Sequence, residues 1–233
     1  MTHIPLLRKI TLLVLSLTAS NAFAQMKGAA KQTRLWAGPR IGMNVSNFYT
    51  DSANLYNQFK VSFMGGASIN FSFNRNLAVQ TEINYSPKGG KHRFHTDTSS
   101  IRAAYNLTYL DVPLLVEIKG GEDDNTVFFQ IGAQKSFLLN AKYSEEKTNG
   151  TVSYSLSNSD ADSLGAPASD FDLVAGFGII SIYGWCFTLR AAFGMADIPD
   201  YYNKIINHNM VFQASLGYYF GRKYDVIGGK NRR

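Results

Sequence analysis

Large apolar residues alternate with small or polar residues in eight stretches of the chain. In the last stretch the two sets are Met210, Phe212, Ala214, Leu216, Tyr218 and Phe220 against Val211, Gln213, Ser215, Gly217 and Tyr219. A period of two predicts a β-strand with two different faces. Strands of about 10 residues with this pattern are typical of membrane-spanning β-barrels. We therefore predict an all-β protein, an eight-stranded antiparallel up-and-down transmembrane β-barrel of the outer-membrane type.

The connectors between the stretches alternate in length. The other seven predicted strands span residues 34–46, 61–73, 77–86, 105–118, 127–134, 171–179 and 185–194. The short connectors are 74–76, 120–125 and 183–184, the long ones are 47–60, 87–104 and 142–169, and 197–207 is intermediate. Outer-membrane barrels place short turns in the periplasm and long loops outside the cell. We expect both termini of this chain to be periplasmic.

The small-residue face of the strands indicates which side meets lipid. A soluble barrel with an apolar interior would carry many Lys and Glu residues on its outer face. Here the face opposite the apolar side chains is mostly Gly, Ser, Ala, Asn and Gln. We therefore expect the apolar side chains to face lipid and the small ones to face a narrow lumen. A soluble periplasmic ligand-binding barrel is the alternative that remains open.

Six charged residues fall on the predicted lumen face. They are Arg40, Glu82, Asp111, Glu117, Asp172 and Arg190. Buried charges require partners, and an eight-stranded barrel is narrow enough to be filled by side chains. We predict a paired network that seals the lumen, so that Arg40→Leu lowers stability without opening a large pore. Pro39 and Pro113 lie inside predicted strands, where we expect a bulge or register change at each.

Both ends of the chain predict segments outside the barrel. Arg8 and Lys9 precede an apolar run, and the small residues Ala22 and Ala24 form a cleavage site, so residues 1–24 are predicted to be a signal peptide. A short periplasmic segment (25–33), the barrel (34–220) and a basic periplasmic tail (221–233) follow. The formal net charge of +6 sits largely in that tail rather than on a folded face, and no nucleic-acid partner is predicted.

Three segments of the chain resemble a known family. They are Gly38–Ser46, Gln80–Gly89 and Tyr109–Lys119, which are similar to the first, third and fourth strands of PorT-like outer-membrane β-barrels of Bacteroidetes. The resemblance implies an outer-membrane barrel in which Pro113 is an expected residue. It also implies components of secretion or gliding machinery as partners, although a role carried over from a fold is only an analogy.

Basic residues in the second long connector are candidates for contact with lipid phosphates. Lys88, Lys91, Arg93 and Arg102 are predicted to contact lipopolysaccharide at the outer surface. His92 and His95 lie in the same connector, but two histidines without a third ligand do not predict a metal site. No cofactor is predicted, and the oligomeric state is left open.

The sequence favours a binding or structural role over catalysis. His208, Ser169 and Asp170 begin predicted strands at the outer rim, and an outer-membrane lipid-modifying enzyme is the alternative function. A nucleophile needs a base within hydrogen-bond reach, and nothing in the spacing of these residues guarantees one. We predict no catalytic residues, and we expect the protein to act through its loops as a structural, binding or secretion-associated module in contact with outer-membrane lipids.

Overall fold

The computed structural model describes residues 34–50, 56–96, 99–120, 125–147, 150–157, 167–199 and 206–220. The strands are β1 (Arg34–Thr50), β2 (Tyr56–Gln58), β3 (Lys60–Ser72), β4 (Leu77–Thr96), β5 (Ser99–Gly120), β6 (Asn125–Lys147), β7 (Gly150–Ser157), β8 (Ser169–Ser181), β9 (Trp185–Gly194), β10 (Ile198–Pro199) and β11 (Ile206–Tyr218). No helix in this part of the chain is long and apolar enough to cross a membrane. The predicted signal peptide, the segment 25–33 and the tail 221–233 lie outside the described residues.

Eight long strands close into an antiparallel barrel, and the short strands β2, β7 and β10 are added at one end. The order is β1-β3-β4-β5-β6-β8-β9-β11, and β11 pairs with β1. A row of directly paired residues can be followed from strand to strand around the barrel. The row that starts at Trp36 of β1 returns to β1 at Ser46, so it is displaced along the strand after one circuit. This displacement means that the strands are tilted against the barrel axis. The predicted eight-stranded antiparallel barrel is confirmed.

The two faces of the barrel divide the side chains by polarity. On β11, Phe212 and Leu216 are 45% and 44% exposed, whereas Val211 and Ser215 on the other face are buried. The other long strands show the same division, with large apolar side chains pointing away from the barrel axis. A soluble barrel would need these side chains in its core. That alternative is therefore wrong, and the lipid-facing assignment is the one that the structure supports.

Two tight turns lie at one end of the barrel, which we call the turn end. After β3, the Asn74 side chain accepts hydrogen bonds from the backbone N–H groups of Asn76 and Leu77 at 2.8 and 2.7 Å. Between β8 and β9, Gly184 has φ of +91°, a conformation that favours glycine. Both turns lie where the sequence predicts short connectors, and residues 121–124 of the third are outside the described part.

The opposite end of the barrel, the loop end, carries more strand than the sequence predicts. β4 and β5 remain paired up to Thr96 and Ser99, β6 continues to Lys147, and β7 pairs back on β6. We call β2, β7 and residues 91–96, 99–104 and 144–147 the extended sheet. The predicted loops 87–104 and 142–169 are therefore wrong over residues 87–96, 99–104, 142–147 and 150–157, and the predicted loop 47–60 is wrong over residues 47–50 and 56–58. A strand that leaves the lipid has no apolar face, so the alternation that marks the other strands is missing there.

The strand prolines do not change the register. Pro39 and Pro113 each lie in a ladder whose register is the same on both sides, so the bulges expected there are wrong. The register shift lies instead between Thr108 and Tyr109, where Leu139 of β6 is left without a paired residue. One extra residue in a strand explains why alternation fails in the second half of β6.

Candidate functional site in the lumen and at the barrel rim

The middle of the lumen is organised around the carboxylate of Glu82, which is 2% exposed. Arg190 donates two hydrogen bonds to it, from Nη1 at 2.8 Å and from Nη2 at 2.6 Å. Arg40 also donates to it from Nη1, and the amides of Gln80 and Asn84 complete its partners. Hydrogen bonds between ionised groups are stronger than neutral ones. The Glu82 cluster thus contains two guanidinium groups and one carboxylate.

Three strands on different sides of the barrel supply this cluster. Arg40 comes from β1, Glu82 from β4 and Arg190 from β9, so the contacts cross the lumen. Glycines on the lumen face leave the space that these side chains occupy. A Cβ at Gly176 would meet the side chain of Arg190, and one at Gly66 would meet the side chain of Asn84. The small-residue face is therefore needed to accommodate the charged residues.

A second cluster, nearer the loop end, surrounds the ammonium group of Lys88. Its Nζ donates to Asp111 at 2.9 Å, to Ser136 at 3.1 Å and to Asp172 at 3.4 Å. The same atom lies 5.1 Å from the centre of the Tyr109 ring. Lys88 is 1% exposed. The prediction that it contacts lipopolysaccharide at the outer surface is wrong, because its side chain points into the lumen.

A third cluster lies toward the turn end. Lys119 Nζ is 3.6 Å from a carboxylate oxygen of Glu117 and donates to Asn70 at 3.1 Å and to Ser72 at 2.8 Å. It also lies 4.9 Å from the centre of the Trp36 ring, within reach of a cation–π interaction. Each buried cation of the described lumen is thus close to a carboxylate.

Aromatic side chains fill the lumen beyond the charged clusters. Toward the loop end, the ring centres of Phe48 and Tyr105 are 5.9 Å apart, and those of Tyr105 and Tyr143 are 4.8 Å apart. Toward the turn end, Trp36 and Tyr219 have ring centres 6.2 Å apart. Aromatic rings toward both ends thus lie on either side of the ion pairs in the described lumen. This filling is expected for a barrel of eight strands.

The six residues predicted for the lumen are all buried, and hydrogen bonds through Asn70 and Gln80 connect Glu117 to the Glu82 cluster, whereas Asp111 and Asp172 belong to the separate Lys88 cluster. The two arginines contact Glu82, whereas Asp111 and Asp172 contact Lys88 and Glu117 contacts Lys119. Lys88, Lys119 and Asp170 are also buried, which the sequence pattern as interpreted above does not predict. A signal was present for the two lysines, since each continues the lumen-facing positions of its strand. Lys88 falls in the predicted loop 87–104, and Lys119 directly follows the predicted strand 105–118.

The candidate catalytic residues at the loop-end rim are not assembled. Asp170 is buried, and its carboxylate accepts hydrogen bonds from the backbone N–H groups of Phe171, Met195 and Ala196 and from the side chain of Asn209. Ser169 accepts a hydrogen bond from Lys135, and His208 Nδ1 lies 3.8 Å from Asp197. Among the described residues no hydrogen bond joins Ser169 to His208, because β9 lies between their strands.

An apolar groove lies at the same rim, on the outer face of β1, β9 and β11. Its volume is about 370 Å³, and it is lined by Tyr49, Phe193, Gly194, Met195, His208 and Asn209. Tyr49 lies directly opposite His208 in the β1–β11 ladder. The groove therefore opens on the face that carries the exposed apolar side chains, at the edge of that apolar band.

The other three residues predicted to contact lipopolysaccharide, Lys91, Arg93 and Arg102, lie in the extended sheet. Lys91 is exposed, and the register places Arg93 opposite Arg102. The side chains of Arg93, Arg102, His92 and His95 lie outside the described part. Among the residues that are described, no group of three His, Cys, Asp or Glu side chains could hold a metal ion.

A closed antiparallel barrel with an apolar outer face and a filled, charged lumen defines a small membrane-spanning β-barrel protein. The model of the outer membrane protein beta-barrel domain family matches residues 23–200, and the chain belongs to that family. The protein is therefore an outer-membrane protein. No curated protein sequence matches the chain.

Solved structures of small outer-membrane barrels are similar in fold. Ail of Yersinia pestis is 13% identical, with 79% of this chain and 98% of that chain covered and a TM-score of 0.44. OprG of Pseudomonas aeruginosa is 12% identical, with 81% and 95% covered and a TM-score of 0.39. Neisserial surface protein A is 6% identical, with 78% and 96% covered and a TM-score of 0.38.

Proposed function

We propose that this protein is a non-enzymatic outer-membrane barrel with a sealed lumen, which presents its extended sheet to the lipopolysaccharide layer. The observation that carries the proposal is the contrast between the two parts of the molecule. The lumen is filled by ion pairs and aromatic rings, whereas β4, β5 and β6 continue as paired strands well beyond the charged clusters. A sealed barrel cannot act by diffusion through its lumen, so its surface is the part available for function.

The orientation follows from the lengths of the connections. The turn end has tight connections, and the loop end carries the extended sheet. Outer-membrane barrels have short periplasmic turns and longer extracellular segments. This supports an orientation in which both termini are periplasmic and the extended sheet stands outside the cell.

Basic residues of the extended sheet support a contact with anionic groups outside the membrane. Lys91 is exposed, Arg93 follows two residues later, and Arg102 lies opposite Arg93. Among the β4 side chains whose exposure is described, Tyr85 is the last exposed large apolar one, and Lys91 lies about 20 Å further along the strand. Coulomb attraction to the phosphates of lipopolysaccharide therefore requires no buried site.

The test is a charge reversal with a matched control at the other end of the barrel. Lys91→Glu/Arg93→Glu is expected to weaken binding of purified lipopolysaccharide to the protein in lipid nanodiscs at least tenfold. Arg34→Glu/Arg75→Glu makes the same change of charge near the turn end and is expected to leave the affinity unchanged. Equal effects of both pairs, or no effect of the first, would exclude the extended sheet as the binding surface.

The finer resemblance to PorT-like barrels supports the fold more than a secretion role. Arg40, Asn44 and Ser46 of the first similar segment are buried, and so are Asp111 and Glu117 of the third. The side chains of these residues lie in the lumen. Selection for a stable barrel is therefore enough to explain why these segments resemble the strands of PorT-like barrels. Partners in a secretion or gliding apparatus stay a prediction, which co-purification of the protein from native outer membranes would test.

A further inference from the structure

We infer that the groove on β1, β9 and β11 is a binding site for one acyl chain of a phosphate-bearing lipid, in the leaflet at the loop end of the barrel. In the orientation proposed above this is the outer leaflet. The groove and its lipid do not depend on the extended sheet, which is built by other strands.

The position of the groove selects its occupant. Of the lining residues, Phe193 is 49% exposed at a lipid-facing position of β9, and Met195, which follows the end of that strand, is 58% exposed. The groove is therefore continuous with the surface that the hydrocarbon of the membrane covers. Its volume of about 370 Å³ lies within the range of known ligand clefts, about 300–1,000 Å³. Acyl chains of membrane lipids cover the rest of this surface. An acyl chain is therefore the apolar group that is available to fill the groove.

A buried carboxylate holds the wall of the groove in place. One oxygen of Asp170 accepts the N–H groups of Met195 and Ala196 at 3.2 and 2.8 Å, and the other accepts the Asn209 amide at 3.2 Å. Two lining residues from different strands are thereby connected to one anchor. Gly194 has no side chain, and a Cβ there would meet the Asp170 carboxylate. These hydrogen bonds hold part of the groove wall in a fixed position, so the groove is more than a gap between mobile side chains.

A cation beside the groove indicates a phosphate in the head group. Lys135 is exposed on the lipid-facing side of β6, and its Nζ donates to Ser169 at 2.9 Å, near the start of β8. β6 and β9 are separated only by β8, so Lys135 lies about 10 Å from the groove. A lysine on a lipid-facing surface directs its charged group toward the head groups. On the side of the groove away from Lys135 the lining includes His208, whose Nδ1 lies 3.8 Å from the exposed Asp197.

Native mass spectrometry of the folded full-length protein in detergent tests the site, with lipid A carrying two phosphates as the probe. We expect the unchanged protein to retain one lipid and Met195→Trp, which fills the groove, to bind at least tenfold more weakly. Leu139→Trp places the same ring on an exposed position of β6 and is expected to bind normally. Lys135→Gln is expected to weaken binding of lipid A tenfold but to leave binding of the dephosphorylated lipid unchanged.

Each result decides one part of the inference. Normal binding by Met195→Trp, or an equal loss in Leu139→Trp, would overturn the groove as the site. Unchanged lipid A binding by Lys135→Gln would overturn the phosphate contact. Each variant is first shown to be folded by its shift on an unheated denaturing gel. Lys91→Glu/Arg93→Glu keeps the groove and is expected to bind lipid A normally, so failure of the proposed function is distinguished from failure of this site.

Discussion

At the scale of single residues, the Glu82 cluster is asymmetric in charge. Two guanidinium groups share one carboxylate, so removal of either arginine leaves a balanced pair, whereas removal of Glu82 leaves two buried like charges. Loss of one partner from a buried ion pair destabilises by about 3–5 kcal/mol, and loss of one hydrogen-bonded donor by about 1–3 kcal/mol. Glu82 is therefore the residue on which this cluster depends most.

Substitution of Glu82 should therefore lower the free energy of unfolding more than substitution of Arg40. Glu82→Leu is expected to lower the free energy of unfolding by about 3–5 kcal/mol, and Arg40→Leu by about 1–3 kcal/mol. The measurement is the urea midpoint of reversible unfolding in detergent. Ile83→Leu, on the lipid-facing side of the same strand, serves as the control with little change. A larger effect of Arg40→Leu than of Glu82→Leu would contradict the assigned geometry.

Variants of Lys88 and Lys91 should distinguish a lysine that stabilises the lumen from a lysine that binds lipopolysaccharide at the surface. Lys88→Met leaves Asp111 and Asp172 without their buried cation and is expected to lower the free energy of unfolding by about 3–5 kcal/mol. The same variant should bind lipopolysaccharide with unchanged affinity, because the side chain does not reach the surface. Lys91→Met should give the reverse result, with normal stability and weaker binding. Identical behaviour of the two variants would place Lys88 outside the lumen.

At the scale of elements, the β4–β5 hairpin consists of two parts with different roles. The part inside the barrel carries Glu82 and Lys88, whereas the part in the extended sheet contributes nothing to the described charged clusters. Gly90 lies directly opposite Tyr105, so the hairpin can be shortened at this level without altering the register. The extended part is thus separable from the barrel.

Replacement of residues 91–104 by Asn-Gly, a sequence suited to a two-residue hairpin turn, tests that division. The shortened protein is expected to fold, with the heat-dependent gel shift of a closed barrel and an unfolding midpoint close to that of the unchanged protein. A deeper shortening that joins Tyr85 to Leu110 removes Lys88 and should prevent closure. Failure of the first variant to fold would show that the extended sheet is part of the barrel's stability.

At the scale of the whole molecule, the filled lumen predicts that the protein conducts poorly. We expect no large conductance steps from the purified protein in planar lipid bilayers, and none from Arg40→Leu, because the remaining side chains still occupy the barrel. Simultaneous replacement of Arg40, Glu82 and Arg190 by serine removes the middle layer and is expected to increase conductance. Large steps from the unchanged protein would contradict a sealed lumen.

The sequence predicted the barrel well because alternation is a local property. In β11, Val211, Phe212 and their neighbours lie on the faces that the pattern assigns to them. The same reasoning failed in the extended sheet and at Leu139, for two different reasons. A strand in water lacks an apolar face, and one extra residue exchanges the faces of everything that follows it.

By itself, the sequence determined the number of long strands, the side of each that meets lipid and the burial of the six charged residues predicted for the lumen. A period of two assigns a side chain to a face whichever strand lies beside it. Only the tertiary structure decided that both arginines meet Glu82, that Lys88 and Lys119 complete the remaining pairs, and that Asp170 supports a groove at the rim. Those contacts depend on the strand register and tilt around the closed barrel, which no single strand encodes.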